Sequence, residues 1–311
     1  MTPDISIIIV SWNVEGLLRD CLRSIVKTKG ALAVETIVVD SGSHDDTPNM
    51  VRREFPDVQL IARSDNVGFP KGNNLGLEVA NGRYLLLLNP DTIVHKNALQ
   101  TMFAYMENNE TVGMVGAQLL NADGSHQSSR RRFPTFWTGL FESTWLESFA
   151  PKSILNAYYV KDSGNDETAD VDWVMGACMF VRREAFERVG WMDEDYFMYS
   201  EELDWCRRMK EADWRIVYLP TAKVTHLVGK SSEQAVTHRH INFNRAKLRY
   251  FKKYHGSMAA LLLRALLLKG FMFQVLVEGV KWMVGHKRPL RRQRIQSYLQ
   301  VLKSGLTPAG Y

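Results

Sequence analysis

A carboxylate that follows directly on an apolar run sits where a buried strand meets solvent, and this chain has several. Asp91 comes after Tyr84–Leu88 (YLLLL) in the segment Asn89-Pro90-Asp91-Thr92. Such an acid suits a hard divalent cation, which takes one or two carboxylates and completes its shell with substrate phosphate and water. Asn-Pro-Asp is equally good turn chemistry. Asp40 ends the run Glu35–Val39 (ETIVV). There it could accept hydrogen bonds from a nucleobase imide or a ribose hydroxyl, or cap the turn that SGSHDDT encodes. In Asn66–Asn74 (NVGFPKGNN), Gly68 and Gly72 permit close backbone approach, Lys71 offers a cation, and the start of a helix favours an anion. The segment is neither GxGxxG nor a phosphate loop. The GKS at 229–231 fails the latter pattern too, because Val224 stands where it requires glycine.

The densest group of acids and aromatics is Trp191–Arg208 (WMDEDYFMYSEELDWCRR). Glu201, Glu202 and Asp204 fall at the start of a helix, where the dipole favours anions, and capping alone accounts for some of them. An acid among aromatic rings can instead have its pKa raised into the range of a general base. Arg207 or Arg208 would then face a phosphate or solvent. His226 ends a short strand after Pro220 and reads equally as a metal ligand or a structural imidazole. His238 and His240 read as surface residues.

These side chains need strands to carry them. Ile5–Val10, Glu35–Val39 and Tyr84–Leu88 are short, continuous apolar runs, as in parallel strands covered on both faces. Helical stretches near 15–28, 46–54 and 73–80 alternate with them, which is βαβ architecture. In open α/β sheets ligands bind beyond the carboxyl ends of the strands, so the polar clusters at 11–13, 40–47 and 89–92 point at one crevice. Residues 115–190 read as a second set of elements, with a buried segment at 171–182 and a polar loop over 150–169. From Asn242 onward the chain is helical and basic.

The net charge of +5 is an average of unlike parts. Residues before 234 hold 24 basic and 33 acidic side chains, a balance of −9, and the remainder hold 15 and one (Glu278), a balance of +14. With 45% hydrophobic residues the chain has material for a large core and is not disordered. Three scattered cysteines make neither a disulfide framework nor a thiolate zinc site, so a reducing compartment is expected. The N-terminus lacks the basic region of a signal peptide. An uncharged run near the C-terminus such as Gly270–Val277 is far shorter than a bilayer span, so no simple spanning protein is expected. Gln274, Glu278, Lys281 and Gly285 share a polar helical face, Leu276, Val277, Val280, Met283 and Val284 fill much of the rest, and HKRPLRRQR follows. That combination suits an anionic cytoplasmic leaflet, or else a helix pair packed on the rest of the protein with a solvated basic run. No nucleic-acid reader motif accompanies it.

Taken in order, IIIVSWN, VVDSGSHDDT, NVGFPKGNNLGL, LLLLNPDT, RRRFPT, GACMFVRREAF, GWMDEDYFMYSEELDWCRR and THLVGKSS resemble the family 2 glycosyltransferases, particularly their bacterial rhamnosyltransferase-like branch. The resemblance covers about residues 5–255. It implies an α/β GT-A nucleotide-diphospho-sugar transferase fold, a Rossmann-like mixed sheet flanked by helices, with a C-terminal helical extension. A catalytic domain would occupy 1–240 (nucleotide-sugar half about 1–115, acceptor half about 116–240), and a basic amphipathic extension 241–311. Asp40 would contact the donor base, with Ser11 and Asn13 lining the same pocket. Asn66, Gly68 and Lys71 would lie near ribose and diphosphate. Asn89 counts among the donor-binding residues. Asp91 would hold Mg²⁺ or Mn²⁺, with His226 a further metal ligand. Glu202 aligns with the family's base, where Asp is usual, and Glu201 is its reserve. The implied activity is inverting, metal-dependent transfer of a sugar, best L-rhamnose, from a dTDP- or UDP-sugar to a lipid-linked or polysaccharide acceptor of the cell envelope. The enzyme would be cytoplasmic and peripheral on the inner face of the membrane. The alternative is a non-catalytic nucleotide-sugar or polyanion-binding protein on a degenerate copy of the fold.

Overall fold

A computed structural model describes residues 2–142, 144, 146–227 and 236–307. The GKS segment at 229–231 lies outside them. The chain runs β1 (Ile5–Ser11), α1 (Glu15–Thr28), β2 (Val34–Asp40), α2 (Thr47–Glu54), β3 (Gln59–Ala62), α3 (Phe69–Val79), β4 (Tyr84–Leu88), β5 (Thr92–Val94), α4 (Ala98–Glu107), β6 (Val112–Leu120), β7 (His126–Gln127) and β8 (Arg130–Arg131). Then come α5 (Phe136–Phe141), α6 (Lys152–Tyr158), β9 (Ala169–Val171), β10 (Trp173–Val174), β11 (Cys178–Arg182), α7 (Arg183–Val189), α8 (Glu201–Glu211), β12 (Arg215–His226), α9 (Val236–His255), α10 (Ser257–Met283) and α11 (Arg288–Ser304).

Two compact units result. The first takes the chain up to Phe133, then Tyr159–Phe197, then α8 and β12. Its main sheet has the order β3-β2-β1-β4-β11-β6-β12-β5. β1 to β4 pair in parallel wherever they are neighbours, whereas β11 runs antiparallel between β4 and β6. The sheet is therefore mixed, with helices covering it. The apolar runs do what their composition requires: every residue of β4 is buried, and in β1 Ile5, Ile7, Ile8 and Ile9 are fully buried. Helix α3 lies tightly on β1, because Cβ atoms at Gly72 and Gly76 would strike Val10 and Ile8. β3 was not distinguished in the sequence, since a half-buried edge strand of four residues carries little signal.

Two expectations for the middle of the chain change. The strand ending at His226 begins at Arg215 and passes through Pro220, with an irregularity between Leu219 and Lys223 that accommodates the missing N–H. The polar stretch 150–169 contains a helix, α6, rather than continuous loop.

The second unit comprises Pro134–Tyr158, Met198–Ser200 and the three C-terminal helices. It takes chain from well before the compositional change near residue 241. Phe251 packs its ring on Gly139, Lys247 Nζ donates to the Glu142 carbonyl (2.7 Å) and carboxylate (3.0 Å), and His255 bonds the Pro134 carbonyl at 3.1 Å. His240 is not a surface residue. Its ring lies edge-on to Phe271 and Tyr298, and burial lowers its pKa.

The face of α10 expected to be polar and solvated turns inward. Glu278 is 2% exposed and receives Arg291 at 2.8 Å, while Leu263, Leu267 and Gly270 are buried on the same side. As one continuous helix α10 is also long and apolar enough to cross a membrane by length and composition. Counting uncharged runs in the sequence missed this, because Arg264 and Lys269 interrupt them without interrupting the helix.

The α3–β1 contact gives a stability prediction. Gly76→Val should force the helix off Ile8 and destabilise the protein by about 1–3 kcal/mol, the usual cost of overpacking. A lower urea midpoint at unchanged slope is expected, and an unchanged midpoint would mean that α3 is not held by this contact.

Candidate active site

The position of Asp91 follows from topology. After β4 the chain turns through Asn89-Pro90-Asp91, and β5 pairs antiparallel with the end of β12, which sets Thr92 opposite His226. Leu227 N–H then donates to the Asp91 carbonyl at 2.8 Å. His226 Nε2 lies 3.4 Å from Asp91 Oδ1 and 3.4 Å from Asn89 Nδ2. Asp91 is 2% exposed and His226 6%.

Gln127, which the sequence reading did not single out, fixes the chemistry of this histidine. Its amide nitrogen donates to Asn121 Oδ1 (2.9 Å) and to the His226 carbonyl (3.3 Å). Its oxygen therefore faces His226 Nδ1, at 2.8 Å, and that nitrogen carries the proton. In the neutral ring, Nε2 then turns a lone pair toward a carboxylate oxygen. Asp91 Oδ1 and Asn89 Oδ1 are buried and accept no hydrogen bond among the described residues. The facing pair, Nε2 and Asp91 Oδ1, repels unless a proton or a cation lies between them, and on its other side Nε2 meets the Asn89 amide nitrogen. An imidazole oriented by an amide behind it, beside one carboxylate, fits a divalent ion that draws its remaining ligands from substrate and water. Among the described residues there is no group of three or more His, Cys, Asp or Glu that could hold a metal unaided.

The expected donor-binding residues gather at the ends of β1 and β2, where Ser11 and Asp40 are in register. Asp40 is 1% exposed and its oxygens accept Ser43 N–H (3.0 Å), Ser43 Oγ (2.6 Å) and Ser11 Oγ (3.4 Å). Asn13 takes a left-handed φ of 52° and accepts His44 N–H at 2.7 Å. These residues brace the 41–44 turn, as the turn reading of Asp40 required. Asn66 Oδ1 accepts Gly68 N–H (3.0 Å) and Ser41 Oγ (3.3 Å), closing the next loop onto the same turn. Gly68, at φ 80°, has the Phe197 carbonyl 2.5 Å from where a Cβ would be, so no other residue fits. Lys71 is exposed in the first turn of α3.

The acidic loop is fastened to α3. Phe69 N–H donates to the Phe197 carbonyl (2.9 Å), and Asn74 bonds Met192 N–H (3.1 Å), the Met192 carbonyl (3.0 Å) and Glu194 (2.9 Å). Nothing in sequence spacing could pair Asn74 with residues 118 and 120 positions away. Arg208 closes the loop's other end through Asp204, the Val189 carbonyl and the Trp191 carbonyl, while Arg207 pairs with Glu211 and covers the Phe133 ring. Both arginines are thus engaged within the protein.

Tyr199 (φ 75°) and Ser200 (φ 63°) precede α8 in left-handed conformations that are rare for side chains of their kind. The two glutamates after them differ. Glu201 is 4% exposed, and burial, then the charge of Glu202, raises its carboxyl well above the usual range. Glu202 is half-buried, and a Cβ placed on Gly176 would sit 3.7 Å from its Cβ and 3.7 Å from the Phe69 ring. Asn89 N–H donates to the Ala177 carbonyl at 3.0 Å, so the Asn89–Asp91 turn and the Gly176–Glu202 contact share one edge of the sheet.

Two measurements test this geometry. Gln127→Leu should weaken Mn²⁺ binding about 10–100-fold by calorimetry, since the ring would lose its tautomer and aim. Unchanged affinity would remove the cation from this position. A raised native pKa means that folded Glu201 holds a proton the unfolded chain releases, so this stability is lost as pH climbs above the ordinary glutamate value of about 4.3. Glu201→Gln should therefore gain in urea midpoint over the parent between pH 5 and 8. A gap that stays constant with pH would contradict the burial argument.

Residues 3–241 match the family described as Glycosyltransferase like family 2. The N-acetylglucosaminyl-diphospho-decaprenol L-rhamnosyltransferase of Mycobacterium tuberculosis is 28% identical over 238 residues, 73% of this chain and 76% of that protein. Rhamnosyltransferase WbbL of Escherichia coli is 32% identical over 167 residues, 51% of this chain and 60% of that one. Among solved structures, mannosyltransferase PcManGT from Pyrobaculum calidifontis, in complex with GDP-Man and Mn2+, has a TM-score of 0.57 at 17% identity, covering 98% of this chain and 87% of its own. GalNAc-T7 with UDP, GalNAc and Mn2+ has a TM-score of 0.61 at 14% identity, covering 97% of this chain and 56% of its own. The mixed sheet with its polar carboxyl edge is thus the GT-A fold, and the chain belongs to the family 2 glycosyltransferases, in the branch of the rhamnosyltransferases.

Proposed function

We propose that this glycosyltransferase moves L-rhamnose from dTDP-L-rhamnose to a lipid-linked acceptor in cell-envelope glycan synthesis, with inversion at the anomeric carbon. The carrying observation is that buried Asp91, facing His226 Nε2 at 3.4 Å beside Asn89, shares a sheet edge with a half-buried glutamate, Glu202. The rhamnose and lipid-linked parts of the reading draw on what the mycobacterial relative acts on.

In this reading the braced turn of Ser11, Asn13, Asp40 and Ser43 receives the base. The start of α3, with Gly68 and Lys71, faces the diphosphate, and the helix dipole together with the Lys71 ammonium favours the anion. Asp91, His226 and Asn89 hold Mg²⁺ or Mn²⁺, which when bound neutralises charge growing on the leaving diphosphate. Glu202 removes the proton from the acceptor hydroxyl as that oxygen attacks the anomeric carbon, while the bond to the donor phosphate breaks. Glu201, held toward its neutral form, leaves the charge of the pair on Glu202. A single displacement without an enzyme nucleophile inverts configuration. With such an acceptor the protein would work at the cytoplasmic face of the membrane, bound peripherally.

The test is a panel of nucleotide sugars with Mn²⁺, the parent and Glu202→Gln. Transfer or slow hydrolysis of dTDP-L-rhamnose above the other donors is expected. Glu202→Gln should lose transfer by at least about 100-fold, the low end for a general base, with nucleotide affinity retained. Unchanged turnover in that variant would remove Glu202 from the role, and turnover of another sugar alone would remove rhamnose.

A further inference from the structure

Helix α10 is inverted with respect to a helix that packs a soluble unit. Its one acid faces inward with Leu263, Leu267 and Gly270, and most of its large apolar residues face out. Leu262, Leu266, Phe273, Leu276, Val280 and Met283 are 38–68% exposed. At 100° per residue they fall within an arc of about 100°, a stripe running most of the helix length. The inner face, with Leu263, Leu267, Gly270 and Glu278, is taken up by packing within the unit. Arg264 Nε bonds the Gly305 carbonyl (2.7 Å) and Arg291 bonds Glu278 (2.8 Å), which fixes α10 and α11 as an antiparallel hairpin.

The charge around the stripe has one sign. Lys269 lies within it, and Lys281, Lys287, Arg288, Arg292 and Arg294 cluster where the hairpin turns, all exposed. Glu278 is the single acid after residue 233, and it is buried and engaged by Arg291, Lys281 (3.5 Å) and Arg294 (3.7 Å). The exposed surface of the hairpin therefore presents apolar side chains and cations with no anion among them.

We infer that this face seats the C-terminal helical unit in the interfacial plane of an anionic bilayer, with α10 lying flat and not crossing. Apolar area and cations on one face are what such a surface attracts. Length and composition would allow a span, but two features oppose it. Lys269 stands at the middle of the helix on the exposed face, where a span would hold a charge at the bilayer centre. A span would also draw Glu278 away from Arg291 into lipid, whereas flat docking keeps the pair and lets Lys269 reach sideways to phosphate. The inference rests on the proposed lipid-linked acceptor for its purpose, though not for its test.

The intact protein is floated with vesicles of phosphatidylcholine alone or with 30 mol% phosphatidylglycerol (a composition chosen on the order of a bacterial anionic fraction). Binding to the anionic vesicles is expected. Leu276→Glu with Val280→Glu, and separately Lys287→Gln, Arg288→Gln and Arg292→Gln together, should each lower partitioning about tenfold or more, with nucleotide binding retained as the check on folding. Depth comes from nitroxides at Met272→Cys and Met283→Cys. The native cysteines are buried, with burial pushing their thiols up to about 12, so they do not compete for label. Equal shallow depth at both sites supports the flat seat. A label near the midplane at 272 alone would overturn it in favour of a span. A protein that stays in solution with anionic vesicles, or a dimer dispersed by the Leu276/Val280 variant, would overturn it in favour of solvent or a second copy. Vesicle binding without sugar transfer would count against the proposed chemistry and leave the docking face standing.

Discussion

The pairing of β5 with the last residues of β12 is the constraint on which the site depends. β5 is only three residues long, yet it carries the turn after β4 to the far edge of the sheet. It is held there from two sides. His226 faces Thr92 in register, and on the other side Ser24 of α1 receives the Val94 N–H at 3.0 Å. Without this lock Asp91 would be a turn residue in solvent. With it, a carboxylate and an imidazole nitrogen meet in a buried place beside the Asn89 amide, where facing acceptors favour a cation.

Around that point the protein spends most of its polar groups on itself. Asp40, Asn13 and Ser43 close one loop, Asn66 and Ser41 the next, and Asn74 and Arg208 tie the acidic loop to α3 and α8. Such internal bonding fixes loops before a ligand arrives, which lowers the ordering that binding must supply. It also gives two adjacent glutamates different surroundings. One residue of helical rotation buries Glu201, which raises its carboxyl, and leaves Glu202 half open.

The C-terminal helices follow a different logic. A soluble bundle hides apolar residues, but α10 buries only Leu263, Leu267, Gly270 and one ion-paired acid and leaves most of its large apolar side chains outside. The charge split visible in composition takes on structural meaning here. The acids that balance the catalytic unit are absent from the helices, and the last one is enclosed.

The sequence by itself determined the βαβ order, the buried strands, the polar strand ends that share one crevice, and the family. Each of these is local: a run of β-branched residues, a turn segment, a motif of a dozen positions. What it left open was every relation between distant positions. That Gln127 orients His226, that Asn74 holds Met192 and Glu194, and that Glu278 faces Arg291 rather than water were decided by tertiary packing. Helical periodicity shows that two faces differ but not which one finds a neighbour. The polar face of α10 turned inward because Arg291 of the next helix was there to meet it, and that fact is written in two places thirteen residues apart.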